Sequence, residues 1–208
     1  MSIEQYRQNL SQSKRNAIIQ AAIETFLDKG FESAGMAKIA KVAEVSTATL
    51  YKHFSSKEEL FYAITDRLIT EQKLVEPSDG LENLSFEEGL LKIGNLIAAL
   101  MNIERIVPLF RLVIAEAYQY PELRDRVYEV GHGPYKEALS IFLVDQQQSG
   151  KIDLRGVSPR FVAEQYIGML YSFLLYARVM DKSVEISLEQ AQQVVKECSA
   201  LLVSRFNN

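Results

Sequence analysis

Along nearly the whole chain apolar residues return every third or fourth position. Nowhere do they alternate with polar ones over the roughly four to eight residues that a half-buried strand needs. That period lays side chains along one face of a helix and leaves a sheet nothing to pair, so the expected fold is all-α. Hydrophobic residues make up 48% of the 208 and charged residues 24%, enough to bury a core without a covalent staple. The longest apolar run, residues 166–177, is broken by Ser172 and falls short of the roughly 18 residues of a membrane span; it reads as a buried helix. The polar start, Met1 to Arg7, lacks the apolar stretch of an export signal. The single cysteine, Cys198, excludes an internal disulfide framework or a multi-cysteine zinc site. Together these features suggest a cytoplasmic protein with no cofactor, no metal and no membrane attachment.

Helix boundaries follow from capping chemistry. A first helix is expected from about Ser11 to Lys29, closed by Gly30, with Ala17, Ile18, Ala21, Ala22, Thr25 and Phe26 on one face. Short helices follow at about Met36–Ala43 and, after a tight Glu44-Val45 turn and a Ser46 cap, at Thr47–Phe54. Ser56, Ser85 and Ser187 each precede an acid or amide by three residues, the pattern of a capping box, and Ser158-Pro159 marks another start. Long helices are thus expected at about 57–76, 86–103, 105–119, 121–148, 159–179 and 188–206, with a kink at Gly131, Gly133 and Pro134. Glu76 to Gly80 reads as a linker.

Two short helices joined by a tight turn and braced by a longer one are the parts of a helix-turn-helix. Charge is distributed accordingly: residues 1–57 carry eight cations against five anions, a balance of +3, while the remainder carries −7. Ile39, Ala40, Ala43, Val45, Leu50 and Phe54 form the apolar seam between the short helices, the small alanines permitting a close crossing. A helix this short can offer base edges only from its first turn, which selects Thr47 and Ala48, with thymine methyls as natural partners; Lys52 is a further candidate. Thr49, Tyr51, His53 and Lys57 suit phosphate, Lys57 standing at a helix start whose free N–H groups also favour an anion, and Ser46 completes the set as the cap. The alternative is a solvated face with a half-buried Tyr51.

The segments Gly30-Phe31, Ile39 through Phe54, and Ser56-Lys57-Glu58-Glu59-Leu60 resemble the DNA-binding domain of the TetR family of bacterial transcriptional regulators. The likeness covers about residues 12–62; beyond it the chain matches in length and helical character, with some similarity over Phe110 to Leu123 to multidrug-efflux repressors. The resemblance implies phosphate contacts by Tyr51 and Lys57, a helix-turn-helix domain at 1–56 and a regulatory and dimerisation domain at 57–208, with 57–76 as connecting helix. It further implies a repressor that leaves a pseudopalindromic operator in double-stranded DNA when a small apolar or aromatic effector binds. Two positions depart from the family pattern. Glu44 stands where glycine is usual, which asks a non-glycine residue for a left-handed conformation. Ala34-Gly35 replaces the hydroxyl pair before the second helix, leaving Ser33 as the substitute cap.

On the last two long helices, Phe161, Ile167, Leu170, Phe173, Leu174 and Ala177, together with Ala191, Val194, Val195, Cys198, Leu201 and Leu202, form broad apolar stripes, with Ile167, Leu170, Leu174, Val194, Val195, Cys198, Leu201 and Leu202 as the interface candidates. These suit a four-helix homodimer interface, the alternative being an intramolecular core. Met101, Phe110, Tyr128, Tyr166, Met169 and Phe173, with Tyr118, Tyr135 and Phe142, could line an effector pocket or simply fill the core. Arg111, Glu116, Gln165 or His132 could orient a ligand there. Catalysis finds no support: the two histidines are His53, in the DNA motif, and His132, beside glycines, and no carboxylate cluster or metal-ligand spacing occurs. A ligand-independent architectural or recruitment protein is the remaining alternative.

Overall fold

Ser2 Oγ accepts a hydrogen bond from the Gln5 N–H and Gln5 Oε1 accepts one from the Ser2 N–H, so a complete capping box starts the first helix eight residues earlier than periodicity indicates. In the computed structural model, which describes residues 2–70 and 76–207, this helix, α1, spans Ile3–Lys29. Its first turns carry Ile3, Tyr6 and Leu10 in the open, so apolar periodicity registers only where Ile18, Ala21, Ala22 and Phe26 enter the core. Ala17, expected on that face, is exposed. Gly30, at φ 81°, turns the chain out of the helix.

The remaining helices are α2 (Met36–Val42), α3 (Thr47–His53), α4 (Lys57–Thr65), α5 (Phe86–Met101), α6 (Ile106–Glu116), α7 (Pro121–Val127), α8 (Gly133–Gln148), α9 (Pro159–Tyr171), α10 (Ala177–Met180) and α11 (Leu188–Phe206). Among the described residues there is no strand, and no helix is long and apolar enough to cross a membrane. The fold is all-α, as the periodicity requires.

Three of the long helices expected from sequence are interrupted by single π-helical turns: Asp66–Thr70 after α4, Tyr128–His132 between α7 and α8, and Ser172–Tyr176 between α9 and α10. The second coincides with the expected kink. The other two carry neither proline nor glycine, the residues by which a sequence announces such a break. Part of the expected 57–76 helix, residues 71–75, lies outside the described residues.

The chain divides into two compact units, Met1–Thr70 with Leu109–Val127, and Glu71–Pro108 with Tyr128–Asn208. The first unit thus holds α4, α7 and α6 from Leu109 onward beside the helix-turn-helix. In this first unit α1 packs on α2, α3 and α4, and α4 packs on α7. Phe26, Phe31, Phe61 and Tyr120 form its aromatic centre, with ring centroids 4.8–6.5 Å apart. In the second unit α5 packs against α11, α8 and α9 around the buried Tyr166. Tyr166 donates to the Leu90 carbonyl at 2.8 Å and shares a 2.8 Å bond with the Ser199 hydroxyl, which makes its burial tolerable.

Candidate nucleic-acid interface

Leu50 and Phe54, at 0% and 1% exposure, anchor α3 to the seam made by Ile39, Ala40 and Ala43, as their spacing predicts. The turn before it is held by two backbone bonds, Glu44 N–H to the Lys41 carbonyl at 3.2 Å and Val45 N–H to the Ala40 carbonyl at 3.0 Å. The second of these requires Glu44 in the left-handed region, where it sits at φ 55°. Ser46 then caps α3: its Oγ accepts from the Thr49 N–H at 3.1 Å and bonds the Thr49 hydroxyl at 2.8 Å.

With Leu50 fixed inward, Thr47, Ala48, Tyr51 and Lys52 fall on one exposed face, while Thr49 and His53 flank it half-buried. Tyr51 stands half exposed, so it is not a core tyrosine. The structure thus brings Thr47, Ala48, Tyr51 and Lys52 together, with Ser46 beside them at the start of the helix. Lys14 and Arg15 of α1, which the motif did not single out, lie close enough to His53 that they, with Lys52, lower its pKa after the larger effect of burial. Their signal in the sequence was the excess of cations in residues 1–57. Arg15 also stacks on the Phe54 ring, 5.0 Å from its centroid.

Lys57 is the first residue of α4, capped by Ser56. Its Nζ donates to the Glu32 carbonyl at 2.8 Å and lies 4.7 Å from the Phe31 ring centroid, so this amine also ties α4 to the α1–α2 turn. Glu116, a sequence candidate for orienting a ligand, instead accepts hydrogen bonds from the backbone N–H groups of Phe31 at 2.9 Å and Glu32 at 3.3 Å. The N-terminus of α2 has Gly35 at its cap and no side-chain acceptor, so Ser33 does not replace the missing hydroxyl.

The expected dimer and effector residues fall in several different surroundings. Ile167, Leu170, Leu174, Val195, Cys198 and Leu202 are at most 7% exposed within their own unit, leaving little surface for a second copy. Val194 is half-buried and only Leu201, at 61%, faces outward. The stripes are broad because each helix is apolar on two sides, and the outer side consists of Phe161, Phe173, Tyr176, Met180, Leu188 and Leu201. Among the pocket candidates, Met101 and Tyr166 are sealed in the core, Tyr128 and Phe173 are exposed, Met169 is half-buried, and half-buried Phe110 belongs to the other unit. Tyr118 is fully exposed, which removes it from any cavity wall.

His132 lies between the rings of Tyr128 and Tyr171, at centroid distances of 5.1 and 5.6 Å, with its Nε2 3.2 Å from a Glu164 carboxylate oxygen. Lys136 bonds the Tyr128 hydroxyl and lies 3.5 Å from Glu164. Burial, with a smaller contribution from the Lys136 ammonium, holds the His132 pKa below its ordinary value although Glu164 raises it.

Residues 18–64 match the family described as bacterial regulatory proteins, tetR family. Residues 88–207 match the C-terminal domain of AefR-like transcriptional repressors. The HTH-type transcriptional regulator UidR of Escherichia coli K12 is 26% identical over 185 residues, 88% of this chain and 91% of UidR. The HTH-type transcriptional activator FasR of Mycolicibacterium smegmatis is 48% identical over 54 residues, so this chain spans 26% of itself and a quarter of FasR in that match. A solved TetR-family regulator from Pseudomonas syringae pv. tomato DC3000 is 31% identical and superposes with a TM-score of 0.68, covering 93% of this chain and 96% of that one. The helix-turn-helix geometry and these two family matches, one of which takes in more than half of the chain, agree: the chain belongs to the TetR family of helix-turn-helix transcriptional regulators.

Proposed function

We propose that this regulator is a homodimeric repressor that holds a pseudopalindromic operator and releases it when a small molecule occupies the second unit. The carrying observation is the face of α3: Thr47, Ala48, Tyr51 and Lys52 are turned to solvent while Leu50 and Phe54 alone anchor the helix. Thr47 and Ala48 would meet base edges in the major groove, and Lys52 could join them. Tyr51, Thr49, His53 and Lys57 would hold phosphates, Ser46 fixing the start of the helix. Lys14 and Arg15 would add to the phosphate contacts.

Dimerisation is supported by the exposed apolar side of α9, α10 and α11, where Phe161, Phe173, Tyr176 and Leu201 are each more than half exposed. One helix-turn-helix reads too few base pairs for useful selectivity, and a second copy covering this stripe would supply the other half-site. The repressor sign rests on the match to a repressor C-terminal domain.

Selection of the purified protein on random duplexes should return a two-fold-related sequence. Tyr51→Phe and Lys57→Ala should weaken binding to every sequence alike, while Thr47→Val and Ala48→Gly should change the preferred bases. Recovery of no preferred sequence at low salt would remove the operator reading. Retention of a monomer by light scattering at micromolar concentration, with Phe173→Glu behaving as wild type, would remove the dimer.

A further inference from the structure

In the second unit, the turn at residues 78–82 and one side of α8 enclose a cavity of about 200 Å³. Its apolar wall is Leu81, Ala138 and Phe142, all nearly buried, with the exposed Ile141 at its rim. The Phe142 ring is seated against the backbone of α5: a Cβ built on Gly89 would stand 2.2 Å from Phe142 Cζ. Every charged group on the lining is a carboxylate, Glu82 and Asp145, and Ser78 contributes a hydroxyl.

Gln146, 3% exposed, completes the lining. Its Nε2 donates to the Leu84 carbonyl at 3.1 Å. A carbonyl can only accept, so this bond fixes which way the amide lies and leaves Oε1 as the free end. That oxygen is buried and has no partner, a costly condition for an acceptor. The polar inventory is therefore almost purely accepting: two carboxylates, one amide oxygen, and a hydroxyl that can turn either way. The same turn already receives an ammonium from the chain itself, since Lys92 Nζ donates to the carbonyls of Asp79 and Gly80.

We propose that this cavity binds a small organic cation, an ammonium group carried on a short aliphatic or aromatic body. The donors of such a group would meet Asp145 and Glu82 at the mouth and, after a small shift of the wall, Gln146 Oε1 inside, while Leu81, Ala138 and Phe142 cover the body. The volume suits a fragment below the usual range of roughly 300–1,000 Å³ for drug-sized ligands. An alcohol of the same shape lacks the charge, and a carboxylate would be repelled. Binding of this kind needs neither a dimer nor operator DNA, so its failure and that of the regulatory reading are separable.

Calorimetry and thermal-shift measurements on the full chain at near-neutral pH, with hexylamine, 1-hexanol and hexanoate as probes, test it. Hexylamine should bind and raise Tm, hexanol should bind far more weakly, and hexanoate should not bind. Glu82→Gln with Asp145→Asn, both at exposed positions, should weaken hexylamine about tenfold, the scale of losing a charge-assisted hydrogen bond, and leave hexanol unchanged. Ala138→Leu, which fills the cavity, should weaken hexylamine and hexanol alike. No binding of hexylamine, equal binding of hexylamine and hexanol, or undiminished amine affinity in the double carboxylate variant would each overturn the assignment.

Discussion

Replacing Gly94 with alanine should destabilise the second unit although alanine is the better helix former. Gly94 lies inside α5 where that helix meets α9 and α11. A Cβ built there would stand 2.4 Å from the Tyr166 hydroxyl oxygen and 2.5 Å from Val195 Cγ1, against the 3.4–4 Å of ordinary contact. Neither neighbour can yield cheaply, because both are fully buried and Tyr166 is held by Leu90 and Ser199. Overpacking of this kind costs about 1–3 kcal/mol, and weakening one of the tyrosine's hydrogen bonds adds about 1 kcal/mol. The gain in helix propensity returns about 1 kcal/mol, leaving a net loss near 1–3 kcal/mol. For a chain of this size that lowers Tm by roughly 2–12 °C. Gly168 on α9 is the control: nothing lies within 4 Å of its added Cβ, so Gly168→Ala should raise stability by up to about 1 kcal/mol in the isolated subunit. Urea unfolding of the two variants beside wild type measures both signs. A Gly94→Ala protein as stable as wild type would refute the claim that the three helices meet this closely.

Glu116→Ala should free the Phe31 and Glu32 amides, raising their hydrogen-exchange rates and costing about 1–2 kcal/mol at most, given the partial exposure of the pair; unchanged exchange would dismiss the contact. Glu44→Gly should stabilise the first unit by about 0.5–1 kcal/mol in thermal unfolding, because glycine carries no Cβ penalty at φ 55°, and a loss of stability would contradict the geometry. His132 has a folded pKa below its ordinary 6.5, so the unfolded chain binds the proton more readily and this contribution to stability, complete above that value, is lost as pH falls through the folded pKa. His132→Gln should flatten that part of the stability-against-pH curve relative to wild type; parallel curves would remove His132 from the account.

Local hydrogen bonding made the helix starts at Ser46, Ser85, Ser158 and Ser187 legible to the residue, because a capping serine acts on neighbours two or three positions away. The left-handed Glu44 was legible from the resemblance, in which glycine is usual at that position of the turn. The start of α1 was missed because a capping box at Ser2 precedes a surface stretch with no buried periodicity to confirm it. The π-turns at Asp66–Thr70 and Ser172–Tyr176 were invisible because neither contains a proline or glycine to mark the break. The division of the α9 and α11 stripes between core and surface was not legible, for a different reason. Both sides of these helices are apolar, and only packing decides that Ile167 and Val195 face inward while Phe161 and Leu201 do not. The scattered pocket candidates share that origin: aromatic character alone does not distinguish the sealed Tyr166 from the exposed Phe173.

The one cysteine of the chain, Cys198, is 3% exposed on the inner side of α11, and burial raises its thiol pKa further from the range in which a thiolate attacks. Native protein should therefore ignore maleimides and nitroxide reagents under mild conditions. A cysteine introduced at an exposed position such as Gln12 would then be the site that takes a probe, without first replacing the native residue. Spin or fluorescent labels placed this way could report the separation of two helix-turn-helix units in solution, free and with DNA, on an otherwise unaltered chain.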